Sequence, residues 1–401
     1  MRILLSTYGS RGDVEPLVAL ALRLQAHGAS VSLAAPPDFA GLLGEASVPH
    51  VPVGWPIQAL ATGSLPDAPK GLPELAPRLV AMAYEAVVSA GDLDLVLGTG
   101  SLPAAAGAQA GAEKLGVPFV STTFSPCYLP TPHNPPIGWP GLVFPEGERD
   151  NRVLWRLLAE YLHGMLGAPI NAHRESVGLP AVDNVRDHVF GPSPWLAADP
   201  VLGPWPLPSE LAVVQTGAWI RPDERALPAD LLAFLDSGEP PVYVGFGSMP
   251  MRAATEPARV AVESARAVGR RVVLSGGWAE LVPVDDGGDS FAVGEVNQQA
   301  LFPRVAAVVH HGGAGTTTTV ARAGTPQVIV PQVADQPYWG ARVTALGTGV
   351  LHDGPAPTAE SLTAALHTVL EPGVGARAGE VAREVRGDGA ELAARLLLEG
   401  Q

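Results

Sequence analysis

The 401 residues are 47% hydrophobic and only 16% charged, with 46 Gly, 41 Pro, one cysteine and a formal net charge of −15. So long a chain implies two domains, globular and rich in turns. The acidic balance excludes a nucleic-acid partner, which needs clustered Lys and Arg, and the lone Cys127 excludes an intramolecular disulfide framework, fits a reducing cytoplasm and reads as a small buried hydrophobe.

In chain order, a strand is predicted over residues 2–8 (RILLSTY), its apolar run too short for a secretion signal. A Gly-rich turn follows, then a helix in which Val14, Leu17, Val18, Ala21 and Leu24 recur at helical spacing and Gly28 stands where a C-cap glycine belongs. Further strands are predicted at 31–36, 48–54, 93–100 and 118–124, with a helix over 101–116. Short apolar strands alternating with helices imply βαβ units and a parallel sheet buried on both faces. The proline-rich stretch 126–149 reads as an irregular loop of the kind that lines binding sites, and residues 200–228 read as a linker. The pattern then restarts at 240–248, 270–277, 291–295, 306–313 and 326–331, and closes in one long helix over 376–401. No window of 18 uninterrupted apolar residues spans a membrane.

Three motifs stand at predicted strand ends, where parallel sheets bind ligands. The first is Gly9-Ser10-Arg11-Gly12-Asp13, whose glycines let backbone approach a ligand ahead of a helix N-terminus that favours anions. It lacks the third glycine of a dinucleotide fingerprint. Equally, Asp13 could be only an N-cap and Arg11 a solvated charge. The second, His310-His311-Gly312-Gly313-Ala314-Gly315-Thr316, opens the helix TTTTVARAG and offers free N–H groups, a dipole end, imidazoles and a hydroxyl to a diphosphate. Its plainer reading is a tight turn capped by Thr316. At most one of the two adjacent histidines touches a ligand, because strand neighbours point to opposite sides. The third is Asp335-Gln336, a carboxylate and an amide able to bracket several hydroxyls, or simply a helix N-cap.

The run from Val293 to Gln336, with its HHGGAGT core, RAGTPQVIVP and terminal DQ, resembles the nucleotide-sugar signature of family 1 glycosyltransferases. With the opening STYGSRGDVEPLVALA, the chain most resembles the actinobacterial transferases that glycosylate glycopeptide antibiotics such as vancomycin; sterol and polyketide glucosyltransferases come second. The resemblance implies a GT-B fold, α/β, with two Rossmann-like doubly wound domains facing a central cleft. Its parts are an acceptor-binding domain over 1–205, a linker over 206–225, a donor-binding domain over 226–375 and a last helix, 376–401, crossing back to the first domain. Carried over, His311, Gly312, Gly313, Gly315 and Thr316 bind the donor diphosphate, and Ser10 and Arg11 reach it from the other domain. Asp335 and Gln336 hold the sugar, and Val293 and Val296 lie beside the nucleobase. Asp13 is the general base, where many relatives have His. Thr319 stands where the plant signature has a ribose-holding Glu, which leaves UDP and dTDP donors equally open.

The implied reaction is an inverting displacement at the anomeric carbon, Asp13 taking the acceptor's proton. Partial burial in a closing cleft is expected to raise the basicity of Asp13. Neither cofactor nor metal is required, and Asp92 and Asp94 read as a turn before a strand. Trp55, Phe124, Tyr128 and Trp139 are expected at the acceptor, a hydrophobic or aromatic small molecule, though core packing explains any one of them. The expectation is a cytoplasmic monomer with no stable membrane insertion. A flavonoid glucosyltransferase, a nucleotide-sugar epimerase and a non-catalytic nucleotide-sugar binder are the rival readings.

Overall fold

The computed structural model of the protein describes residues 1–65, 69–247, 256–277, 281, 285 and 287–400. Two compact units emerge. The first comprises Met1–Ala198, Trp205–Arg221 and Gly387–Gln401, the second Asp199–Pro204 and Pro222–Arg386.

The first unit is built on seven parallel strands: β1 (Arg2–Tyr8), β2 (Ser30–Ala35), β3 (His50–Pro52), β4 (Leu95–Gly100), β5 (Phe119–Thr123), β6 (Trp195–Leu196) and β7 (Val214–Gln215). Their order is β3-β2-β1-β4-β5-β6-β7. From Ile3 onward every residue of β1 is buried, as a strand covered by helices on both faces must be. The helix Arg11–Ala26 buries Val14, Leu17, Val18, Ala21 and Leu24, the stripe its periodicity marks out. Helices Leu72–Val88 and Leu102–Leu115 approach closely through small residues: a Cβ on Gly107 would stand 2.2 Å from the Val80 carbonyl oxygen.

The second unit repeats the plan with β8 (Val242–Gly245), β9 (Val272–Ser275), β10 (Ser290–Val293), β11 (Ala307–His310), β12 (Gln327–Ile329) and β13 (Gly349–Leu351). These strands, also parallel, run β10-β9-β8-β11-β12-β13. Counted from its own first strand, each sheet therefore starts 3-2-1-4-5-6, the doubly wound order. Strand order reverses beside β1 in one unit and beside β8 in the other, and those are the switch points where such sheets bind ligands. Ser248, which ends one predicted strand, lies outside the described residues.

Two expectations need correction. The predicted linker carries β7, so Trp205–Arg221 belongs to the first sheet's unit. The final helix is two, Pro372–Ala382 and Gly389–Glu399. The break spans residues 383–388, with Gly387 and Asp388 among them, which weaken a helix interior, and the second helix packs Ala390, Ala393, Ala394 and Leu397 into the core around β1.

Candidate active site

In the first unit, the turn after β1 holds three predicted residues together. Ser10 is the N-cap, its hydroxyl accepting the Gly12 N–H at 3.3 Å. Asp13 therefore lies inside the first turn and is not the cap, and its carboxylate folds back over Gly9, where a Cβ would stand 2.1 Å from Oδ2. Glycine is required there to leave room for it. The first turn of a helix favours negative charge, so the position suits a carboxylate. Arg11 is partly exposed, and its guanidinium donates to Glu15 at 2.9 and 3.2 Å, while Glu15 also pairs with Arg221 at 3.1 Å.

In the second unit, the carboxyl ends of five adjacent strands touch in sequence. The Val293 carbonyl, ending β10, accepts the Gly276 N–H at 3.1 Å. Beyond β9, a Cβ on Gly277 would stand 2.5 Å from the Gly247 carbonyl oxygen, and one on Gly247, beyond β8, 3.5 Å from His311 Cε1. Past β11, Gly312 at φ +91° leans on Ile329 and on Gln336, which follows β12. Predicted base-, diphosphate- and sugar-binding residues thus share one floor.

The helix Ala314–Ala323 starts on Gly313, so Thr316 lies within its first turn and does not cap it. The N–H groups of Ala314, Gly315 and Thr316 are among those a helix leaves unsatisfied, and a Cβ on Gly315 would meet nothing within 4 Å. A fan of free donors at a helix N-terminus suits an anion. His311 covers Gly313, its Nε2 2.6 Å from where a Cβ would be, and its buried Nδ1 has no hydrogen-bond partner. Burial, and the neighbouring His310, push its pKa down to about 3, so it meets a ligand as a neutral ring. His310 is wholly buried, its Nδ1 accepting the Gly312 N–H at 3.1 Å and its Nε2 facing Gln327 Oε1 at 2.9 Å. Of the two histidines, only His311 is placed to reach a ligand.

Asp335 precedes the helix Gln336–Ala345, and its carboxylate accepts the Trp339 indole N–H at 2.8 Å instead of capping. The Gln336 side-chain oxygen accepts the N–H groups of Gln332 (2.6 Å) and Val333 (3.0 Å), which commits that oxygen to the loop. Between them Ala334 adopts a left-handed φ of +58°, strain of the kind that gathers at ligand sites. Thr319 donates to the Gly315 carbonyl at 2.9 Å, so its hydroxyl is spent within the helix.

Comparison with known proteins fits this geometry. Residues 3–131 match the Glycosyltransferase family 28 N-terminal domain, and residues 288–395 the Erythromycin biosynthesis protein CIII-like C-terminal domain. The chain is 52% identical to glycosyltransferase GtfE of Amycolatopsis orientalis, across 99% of this chain and 97% of that one. It is 50% identical to the vancomycin aglycone glucosyltransferase of the same organism, across 100% and 97%. The chain belongs to the vancomycin-group glycosyltransferases. The solved structure of glycosyltransferase VinC in complex with DTDP superimposes with a TM-score of 0.69 at 22% identity, covering 99% of each chain, a likeness of fold.

The four aromatics predicted at the acceptor of this vancomycin-group glycosyltransferase pack apart. Phe124 meets Trp219 edge-on at 6.0 Å in the core around β1. Trp139 joins the cluster of Trp155, Leu158 and Leu162, and Trp55 a third cluster, its backbone N–H and C=O both bonded to the Tyr8 hydroxyl. Tyr128 ends a short 3₁₀ turn, Pro126–Tyr128, beside the buried Cys127, whose thiol lies 3.1 Å from Ser125 Oγ. Val296 packs with Val293 among Tyr243, Leu301 and Phe302. Asp92 and Asp94 bond Arg2, at 3.1 and 2.7 Å, as turn residues before β4. Among the described residues no helix is long and apolar enough to cross a membrane. Sequence reasoning misses Gln327, Gln332 and Trp339, which brace the site from behind; a glutamine inside the apolar run PQVIVP was the one available signal.

Proposed function

We propose that this glycosyltransferase moves a sugar from a UDP- or dTDP-sugar to a hydroxyl of a natural-product acceptor such as a glycopeptide aglycone, with inversion and with Asp13 as general base. The carrying observation is the β11 turn, where the free N–H groups of a helix N-terminus stand close to His311, whose Nδ1 has no hydrogen-bond partner. The acceptor oxygen attacks the anomeric carbon as its proton passes to Asp13. The bond from that carbon to the diphosphate oxygen breaks, and the electron pair leaves with the nucleoside diphosphate. Backbone donors and the His311 ring stabilise the departing charge without metal or cofactor in this scheme, by preorganised electrostatics. His311 acts as a neutral N–H donor rather than a cation, because burial holds its pKa at about 3. Ser10 and Arg11 are proposed donor-diphosphate residues as well. Asp335 and Gln336 hold sugar hydroxyls, and the commitment of Thr319 inside its helix supports indifference to the ribose 2′-hydroxyl. The name of the vancomycin aglycone glucosyltransferase, 50% identical, supports the aglycone as acceptor class. We also propose that the protein acts as a cytoplasmic monomer.

The test is mass spectrometry of the purified protein with UDP-glucose or dTDP-deoxysugars and a glycopeptide aglycone, a sterol or a flavonoid. A product heavier by one sugar, abolished or cut at least about 10²-fold in Asp13→Asn, is expected. Donor binding with no transfer to any acceptor would sink the proposal, and undiminished transfer by Asp13→Asn would remove Asp13 as base.

A further inference from the structure

We propose that His310 and Gln327 form a positioning pair for the donor diphosphate: they pin the Gly312 turn from behind and so aim the N–H groups that follow it. The proposal rests on the donor-site reading above. Both residues are 0% exposed, so neither is reached by a ligand, yet each makes a directional bond. Gly312 donates its N–H to His310 Nδ1 at 3.1 Å, which requires a lone pair on that nitrogen. The single proton of the neutral ring is then on Nε2, where it donates to Gln327 Oε1 at 2.9 Å. The alternatives fail on this geometry. Reversing the Gln327 amide sets NH₂ against Nε2–H, and the other tautomer sets Nδ1–H against the Gly312 N–H. A second proton would break one of the bonds, and burial opposes it by holding the pKa at about 4.

Gly312 needs such an anchor. It sits at φ +91°, with Ile329 2.6 Å from where a Cβ would be, and the next residue, Gly313, caps the helix whose first N–H groups have no intrahelical partner. Releasing the Gly312 N–H lets the peptide before those donors rotate, and orientation is what gives such donors their value.

Titration calorimetry with UDP and dTDP on the full chain tests this. In His310→Asn, Oδ1 stands near the lost Nδ1 and still accepts from Gly312, but the Nε2 bond to Gln327 is lost, so affinity falls, by less than in His310→Leu. In His310→Leu and Gln327→Leu it falls by at least about 10-fold, with the acceptor KM unchanged. Nitrogen NMR of the unsubstituted protein finds a proton-free Nδ1 on His310. Equal affinity in His310→Leu, or a protonated Nδ1, overturns the pair; the NMR result decides even if the leucine variants do not fold. An unsubstituted protein that binds neither nucleotide instead overturns the donor-site reading, and this role with it.

Discussion

Asp13 has its place because residue 9 has no side chain. The carboxylate occupies the volume that any Cβ on Gly9 would fill, at 2.1 Å from Oδ2. Gly9→Ala is therefore expected to push Asp13 aside and lower kcat by about 10²-fold, since an ångström of misplacement can cost that much, while nucleotide affinity stays unchanged. Stopped assays with a saturating donor would measure it, and full activity in Gly9→Ala would show that the carboxylate position is not critical. The GSRGD turn was legible because glycines between a strand and a helix have few other uses. The local pair of Arg11 with Glu15 one turn on could be read from the chain, but the second cation on Glu15, Arg221, could not, since it reaches that carboxylate only through the fold. Nor was the division of labour between His310 and His311: two identical side chains differ by burial and by Gln327, which lies 17 residues away from His310.

Among the elements, long apolar strands and periodic helices could be read from the chain, whereas β6, β7 and β13, of two or three residues each, are too short to carry a period. The C-terminal helix shows how composition misleads. Ala, Arg, Glu and Leu favour one continuous helix over 376–401, but residues 383–388 interrupt it, and Gly389, which opens the second helix, has a packing duty. A Cβ there would stand 2.5 Å from backbone atoms of Gly217 and Ala218. We expect Gly389→Val to lower stability by about 1–3 kcal/mol through overpacking. A denaturant midpoint equal to that of the unsubstituted protein would rule out that close contact.

At the scale of the whole molecule, stability should depend on pH in a way set by buried groups. His310 and His311 titrate near 4 and 3 when folded, through burial, against about 6.5 in an unfolded chain. Below about pH 6.5 the unfolded state gains protons that the folded state refuses, so stability is full above that value and falls as pH drops toward 4. Glu113 adds a second, more acidic step. Burial alone would raise its carboxyl, but hydrogen bonds from His188 and from the buried Arg174 bring it to about 2, so its contribution is present above about pH 4.3 and lost below. Melting temperature measured from pH 7.5 to 3 should fall in both windows, and the first decline should be shallower in His310→Asn. A flat profile between pH 6.5 and 4 would contradict the burial of both rings.

The first unit is assembled from three separate stretches of chain, and the last of them, Gly387–Gln401, inserts four side chains into the core around β1. Synthesis on a ribosome proceeds from the other end. The strands of that first core are made early, yet the core must wait through the whole of the second unit for its final helix to be translated and released. Until then its apolar surface beside the helix Arg11–Ala26 stays uncovered. For the nascent polypeptide this is an interval of exposure to aggregation and to chaperone capture, and it closes only once the stretch Gly387–Gln401 has emerged.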